Sequence, residues 1–250
     1  VIFPANFVTH LHYEYTPAPF SLRLGAWRGI LFTANAFASQ SFIDELAHAA
    51  GKDPVEFSLQ FLGDRKEVTY YEDRKYDIDR ARTVIKRAAG EADWGRTLPD
   101  GRGQGFAFYI YPQAGRFMPV AHVVEVSVDA QGVVRVHRVV SAVDPGLAVN
   151  PGKVEAQMRG GVIDGLAAAI YGEITVQNGR VEQSNFHDYK LMRMGEAPDI
   201  DVHIIRGSDE PGGIGEPPVP PVAPALTNAI FAATGKRVRR LPIRSEDLKV

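Results

Sequence analysis

One acidic residue lies inside a stretch of glycines and prolines late in the chain, Pro211-Gly212-Gly213-Ile214-Gly215-Glu216-Pro217-Pro218. Glycines let a backbone approach a ligand closely, and prolines fix a loop. A carboxylate in a rigid, apolar loop loses hydration, which suits Glu216 to accept a proton near neutral pH. The alternative is a rigid surface turn whose Glu216 points to water, and composition alone favours that alternative.

Two further segments place polar groups beside glycine. Gln157 could present its amide to a polar ligand, with Gly160 and Gly161 allowing close approach. A tightly packed helix is the simpler interpretation of this segment. In Trp27-Arg28-Gly29 the residues alone indicate only an arginine that follows a buried aromatic side chain.

The remaining polar residues favour structural roles. His122 and His137 lie on predicted strands, where we expect them to be structural. His187 and Asp188 are adjacent, and neighbours on a strand point to opposite faces, so they form no natural dyad. A basic cluster at 236–240 is expected to be a solvated face rather than a nucleic-acid site.

A scaffold of both helices and strands must position these groups. Hydrophobic periodicity and turn residues predict extended structure over 1–33, a surface connection over 64–78, and an α+β fold of mixed sheets, antiparallel hairpins and covering helices. Helices are predicted at about 37–50, 54–62, 79–92, 150–171 and 223–234, and strands near 105–111, 121–128, 133–143 and 201–206. Hairpin turns are expected at Asp129–Gly132 and Asn178-Gly179.

Composition excludes several classes of protein. The 250 residues carry a net charge of −2 and no cysteine, which argues against nucleic-acid binding and excludes disulfides or cysteine-bound metals on this chain. We find no apolar run long enough to span a membrane and no secretory signal pattern. The chain begins at Val1 in strand-like sequence, which indicates a processed or separately encoded fragment, or a trimmed piece.

Taken together, the segments resemble the C-terminal part of the molybdenum-binding subunit of the xanthine oxidase/aldehyde oxidase family, of the isoquinoline 1-oxidoreductase β-subunit type. The resemblance covers nearly the whole chain. It is carried by Gly25-Ala26-Trp27-Arg28-Gly29 with Gln40–Ala47, by Val143–Pro151 with Val154-Glu155-Ala156-Gln157, by Asn185–Tyr189, and by Gly213–Pro218.

The resemblance implies roles for these residues. Glu216 is the expected catalytic base beside the metal, and Gln157 the expected contact to the pterin. The backbone at Arg28 and Gly29 is expected at the molybdenum centre, and Gly213 and Gly215 at the cofactor. No side chain is expected to ligate molybdenum, because the pterin holds it. Residues 1–95 then correspond to the tail of the first molybdenum-cofactor-binding lobe with a helical connection, and 96–250 to the second lobe.

The resemblance also implies cofactors and partners. These are a molybdenum-molybdopterin cofactor in its cytosine dinucleotide form, a chain carrying the first lobe, a [2Fe–2S] subunit, and a cytochrome c or another electron acceptor. The expected reaction oxidises an aldehyde or N-heteroaromatic substrate with water-derived oxygen, and the expected compartment is the bacterial periplasm. The alternative is a non-catalytic assembly piece that completes a partner's fold. The molybdenum subunits of the family are much longer than this chain of 250 residues. Many relatives also have a glycine-rich stretch where this chain has Ile30-Leu31 after Arg28-Gly29.

Overall fold

The computed structural model describes residues 4–19, 22, 24–69, 74–113, 115–207 and 210–249. Short 3₁₀ turns occur at Ala5–Phe7 and Met194–Glu196. The helices are α1 (Ile30–Ala49), α2 (Pro54–Leu62), α3 (Ile78–Glu91), α4 (Pro151–Tyr171), α5 (Val222–Thr234) and α6 (Ser245–Leu248). The strands are β1 (Glu67–Thr69), β2 (Lys75–Asp77), β3 (Arg102–Gln113), β4 (Arg116–Val128), β5 (Val134–Val143), β6 (Val176–Gln177), β7 (Arg180–Val181) and β8 (Asp199–Ile204).

A four-stranded sheet in the order β3-β4-β5-β8 forms the centre of the fold. Strands β3, β4 and β5 are joined as antiparallel hairpins, and β8 pairs with β5 in parallel. A parallel neighbour needs a long crossover, and α4 with the segment after it supplies one. The α+β class with mixed sheets is confirmed.

The two faces of the sheet bury different helices because side chains alternate along each strand. Phe106, Phe108 and Ile110 face the cluster that contains α2 and α3. Ala107 faces the opposite cluster, where α4 and α5 pack. Gly105 brings α5 directly onto β3, since a Cβ there would lie 2.0 Å from the backbone nitrogen of Ala229. Gly103 and Gly105 therefore serve the packing of β3 against α5.

Helix α1 covers the outer edge of β3. Gln40 is buried, and its Oε1 accepts a hydrogen bond from the Phe108 backbone N–H, 3.2 Å away. Arg237 pairs with buried Asp44 of α1 and lies over the Phe231 ring, 3.4 Å from its centroid. The prediction of a fully solvated basic face at 236–240 is therefore wrong for Arg237. An edge strand covered in this way offers no free backbone groups at that point to another chain.

Most predicted elements occur near their expected positions, but several have other bounds. Strand β3 begins at Arg102 rather than near residue 105, and β4 begins at Arg116 rather than near residue 121. Helix α1 begins at Ile30 rather than near residue 37, so the end of the extended region predicted over 1–33 is helical. The connection at 64–78 contains the small β1–β2 hairpin. Strand β8 begins two residues earlier than expected. Of the strand-like start at Val1, residues 1–3 lie outside the described residues, and the division near residue 95 stays a prediction.

Candidate functional site

The glycine-proline stretch forms a firmly held loop, 211–221, that leads directly into α5. Pro211 pairs with Gly146, and the Gly212 N–H donates to the Pro145 carbonyl oxygen at 2.7 Å. The Val219 N–H donates to the Glu216 carbonyl oxygen at 3.0 Å, which closes a turn around the two prolines. The rigid loop expected from the sequence is therefore present.

The carboxylate of Glu216 is half-buried and points at three donors, one before α1 and two on β3. The Gly29 N–H lies 3.3 Å from Oε1, and the Gln113 Nε2 lies 3.3 Å from Oε2. The Tyr111 hydroxyl also hydrogen-bonds to Glu216. Burial, followed by this bond, raises the pKa of Tyr111, so its hydroxyl stays protonated and can donate. This arrangement differs from a surface turn whose glutamate points to water.

The glycines around Glu216 have two different surroundings. A Cβ at Gly213 would lie 2.1 Å from Oε1 of Gln113, so a side chain there would displace Gln113 from its present contact with Glu216. A Cβ at Gly215 would meet no atom within 4 Å. Gly213 thus has a packing role, whereas Gly215 leaves its backbone open to a ligand.

Arg28 connects this loop to α4 through its guanidinium. Its Nε donates to the Gly215 carbonyl oxygen, and its Nη1 pairs with Asp164 at 2.8 Å. Its Nη2 donates to both the backbone oxygen and the Oε1 of Gln157, at 3.0 and 2.8 Å. The side chain of Arg28 therefore positions other site residues, and its backbone remains the part expected at a cofactor. The adjacent Trp27 is 47% exposed, so the interpretation of a buried aromatic is wrong.

Helix α4 packs closely through its glycines and also leaves the side chain of Gln157 exposed. A Cβ at Gly161 would lie 2.4 Å from Cγ of Pro218, and one at Gly165 would lie 2.7 Å from Val222. These glycines let the helix pack closely against the loop and the start of α5. Gln157 is exposed, and because its Oε1 accepts from Arg28, the amide NH₂ is the part available to a ligand.

Sequence reasoning missed three residues of this site: Tyr111, Gln113 and Asp164. Tyr111 and Gln113 are two residues apart at the end of β3 and so lie on the same face of the strand. Polar residues at the end of an otherwise apolar strand face can indicate a functional site. Asp164 follows Gln157 by seven residues, which places both on one face of a helix. Each signal is weak until the Glu216 loop is known to lie beside it.

The other candidates lie away from this site. His137 pairs with Ser127 at 2.8 Å on neighbouring strands, as expected of a structural residue. Residues 185–189 form a turn rather than the assumed strand, because Asp188 accepts from the backbone N–H groups of Ser184 and Asn185. His187 lies 3.5 Å from Asp188 on the surface, so the pair is a turn feature.

Comparison with known proteins identifies the family. A profile described as "Molybdopterin cofactor-binding domain" matches residues 32–198. The beta subunit of isoquinoline 1-oxidoreductase from Brevundimonas diminuta is 34% identical over 221 residues, which cover 87% of this chain and 26% of that protein. A nicotinate dehydrogenase subunit from Pseudomonas putida KT2440 is 36% identical over 243 residues, 91% of this chain and 19% of that protein. The chain belongs to the molybdopterin cofactor-binding domain family, as its resemblance to molybdenum-binding subunits implied.

Solved structures agree on the fold. Quinoline 2-oxidoreductase from Pseudomonas putida 86 superposes with a TM-score of 0.74 at 13% identity, covering 90% of this chain and 52% of that chain. The aldehyde oxidoreductase from Desulfovibrio desulfuricans ATCC 27774 gives 0.69 at 16%, covering 90% and 41%. The chain therefore spans about a quarter or less of the two curated relatives and about half of these structures. The family profile ends before Glu216, so the role of that residue is argued from its contacts.

The surroundings of Glu216 fit a bound cofactor. Among the described residues, the buried Oε1 of Gln113 and Oγ1 of Thr33 have no hydrogen-bond partner. Gln113 lies against Gly213, and Thr33 lies against Gly29. Buried polar atoms are rarely left unpaired in a finished site. These unpaired atoms, the open backbone at Gly215 and the exposed amide of Gln157 are polar groups beside Glu216 that a cofactor could contact.

Proposed function

We propose that this chain forms the second cofactor-binding lobe of a molybdenum hydroxylase of the xanthine oxidase/aldehyde oxidase family, with Glu216 as its catalytic base. One observation carries the proposal. Arg28 contacts Gln157 and Gly215, and the adjacent Gly29 contacts Glu216. Residues that the sequence separates by up to 188 positions thus form one contact network beside an open glycine backbone.

The residues of the chain account for proton transfer and positioning. When bound, the molybdenum cofactor supplies the water-derived oxygen and accepts the two electrons of the oxidation. Glu216 accepts the proton released in this step, a task for which its half-buried carboxylate is placed by Gly29 and Gln113. Tyr111 remains protonated and keeps the carboxylate oriented.

The cofactor contacts that we propose come from helix α4 and from the loop that carries Glu216. Gln157 would donate its amide N–H to the pterin, and Arg28 fixes that amide by holding its oxygen. The open backbone at Gly215 and the backbone at Gly29 would lie against the cofactor. Gly213 acts indirectly, by letting Gln113 reach Glu216. The cytosine dinucleotide form of the cofactor is part of this proposal, by resemblance.

The apolar side chains exposed on this chain are evidence that a partner chain covers them. On α1, Leu31, Phe42 and Leu46 point outward, and Phe42 is 60% exposed. The N-terminal segment adds further exposed side chains, namely Leu11, Tyr13, Tyr15 and Leu24. Exposed apolar surface of this extent marks an interaction surface. We infer that a chain carrying the first molybdenum lobe covers both surfaces in an obligate complex.

The remaining assembly follows the family resemblance. We propose a [2Fe–2S] subunit as the first electron acceptor, then a cytochrome c or another acceptor, and the bacterial periplasm as the compartment. The substrate class that we propose is an aldehyde or an N-heteroaromatic ring. Within the described residues, no helix is long and apolar enough to cross a membrane.

The decisive experiment measures molybdenum, pterin and turnover in the purified complex. Glu216→Gln keeps the shape and removes the base, so we expect a loss of turnover of at least ~10²-fold with cofactor retained. Glu210→Gln is the matched control, because Glu210 lies in the preceding segment and pairs with Arg116 at the surface. Unchanged turnover in Glu216→Gln contradicts the assigned role, and a complex without molybdenum and pterin supports a non-catalytic assembly piece instead.

Co-expression tests the partner. Produced alone, the chain should aggregate or bind other proteins through its apolar surfaces. Produced with a chain carrying the first lobe, it should elute as one species that contains the pterin. A monodisperse, cooperatively melting monomer that ignores that chain argues against the obligate complex.

A further inference from the structure

A histidine that plays no part in the proposed proton transfer lies beneath the Glu216 loop. His122 is on β4, in the middle of the sheet, and is fully buried. Its Nε2 lies 2.8 Å from the Pro218 carbonyl oxygen. Its Nδ1 lies 2.8 Å from Oγ of Ser141, the residue directly opposite on β5. Both ring nitrogens are therefore paired inside the protein.

The partners determine which nitrogen carries the proton. A carbonyl oxygen can only accept, so Nε2 of His122 donates to Pro218. The Nδ1 then accepts from the Ser141 hydroxyl, and the ring is neutral. Burial lowers the pKa of His122 to about 4, which keeps this neutral form across the physiological range. The ring can thus hold one fixed orientation and one fixed tautomer.

Pro218 is the point through which the ring can affect Glu216. Residues 216–219 form one turn, closed by the bond from the Val219 N–H to the Glu216 carbonyl oxygen. The two prolines inside the turn have a fixed φ angle, so a displacement at Pro218 is transmitted rather than absorbed. The other side of Pro218 packs against Gly161 of α4. The turn is therefore held between the helix and the His122 ring.

We propose that His122 is a positioning residue that fixes the turn carrying Glu216, with Ser141 orienting its ring. The importance of this position for turnover rests on the proposed function. A misplaced catalytic group loses much of its rate even when the substrate still binds. Loss of the His122 contact should therefore lower kcat far more than it changes KM.

The test uses the assembled, cofactor-loaded complex and three variants. His122→Leu removes both hydrogen bonds, whereas His122→Gln keeps one donor and one acceptor. His137→Gln is the matched control, since His137 lies on the neighbouring strand and its ring pairs with Ser127, away from the Glu216 loop. Hydrogen exchange at the Val219 amide reports on the turn without requiring activity.

We expect His122→Leu to speed exchange at Val219 by about tenfold, the size expected for losing one buried hydrogen bond. It should also lower kcat about tenfold or more, with KM and molybdenum content close to those of the wild type. His122→Gln should recover most of both effects, and His137→Gln should change neither.

Two results overturn the inference. One is a His122→Leu complex with unchanged exchange at Val219 and unchanged kcat. The other is a general loss of cofactor and of sheet protection that His122→Gln does not recover, which indicates a merely structural histidine. The proposed function is tested separately, since it fails if Glu216→Gln keeps full turnover. Hydrogen exchange at Val219 tests the His122 contact whether or not the proposed function is correct.

Discussion

Arg28 donates through its Nε to the carbonyl oxygen of Gly215, the residue immediately before Glu216. The same guanidinium holds Asp164 and Gln157 of α4. One planar cation with five N–H donors serves these four acceptor atoms at once, whereas a lysine has only three N–H donors, all on one nitrogen. The side chain of Arg28 therefore links the loop and the helix that we propose to contact the cofactor, in addition to the packing of Pro218 against Gly161.

Replacing Arg28 by lysine should separate the loop from the helix. The charge remains, so the pairing with Asp164 can persist, but the bonds to Gly215 and Gln157 are lost. We expect a destabilisation of about 2 kcal/mol and a melting temperature lower by roughly 4–8 °C, measured on the complex. Asp164→Asn is the control that keeps the carbonyl contacts, and it should have a much smaller effect. Equal effects of the two substitutions indicate that charge, rather than geometry, matters here.

Gly213 and Gly215 should respond differently to alanine. In Gly213→Ala the new Cβ collides with Gln113 and pushes it away from Glu216. Turnover should therefore fall by roughly tenfold or more, with the cofactor content unchanged. In Gly215→Ala the Cβ enters open space, so stability of the cofactor-free complex should be unchanged while cofactor content falls. Melting curves of loaded and cofactor-free complex, with pterin analysis, distinguish the two. Full cofactor retention in Gly215→Ala places the cofactor elsewhere.

Local signals explain which parts of the fold could be predicted. Asp53 accepts from the N–H groups of Val55 and Glu56 and precedes Pro54, so the start of α2 is set by adjacent residues. The hairpin turn at Asn178-Gly179 is likewise local, with both residues at positive φ. The start of α1 is different, because Ile30 adopts φ 47° next to Gly29, a strained geometry for a β-branched residue. Contact of Gly29 with Glu216 accompanies that geometry, and no short-range pattern could have predicted it.

Only the site residues that lie in a recognisable sequence motif could be predicted. Glu216, Arg28 and Gln157 follow from segments that resemble a family, although their mutual contacts do not. Tyr111 and Gln113 lie more than 100 positions before Glu216 and belong to no motif that we recognised. Their role depends on β3 ending beside the loop, which is a property of the assembled sheet.

The buried His122 should make stability depend on pH. Its pKa is about 4 in the folded protein and about 6.5 when unfolded. Between these values the unfolded chain binds more protons, so stability is complete above about pH 6.5 and falls as the pH is lowered towards 4. The expected loss from this residue is roughly 3 kcal/mol.

Denaturant unfolding of wild type and His122→Gln between pH 4 and 7.5 measures this term. The difference between the two proteins should narrow steadily as the pH falls, because glutamine does not titrate. Other groups, such as Asp44, whose pKa is raised by burial, contribute equally to both and cancel. Parallel curves over the whole range contradict a neutral, buried His122.

The outward face of α1 should decide whether the chain finds its partner lobe. Phe42 is largely exposed, so Phe42→Ser should change the stability of this chain by no more than about 0.5 kcal/mol. If the partner buries that ring, the same substitution removes about 2 kcal/mol of association free energy, roughly thirtyfold in Kd. Val133→Ser is the control, since Val133 is similarly exposed but lies at the β4–β5 hairpin. Dissociation of each co-expressed complex on dilution, followed by size-exclusion chromatography, measures both variants, and equal Kd values for Phe42→Ser and wild type place the interface on another surface.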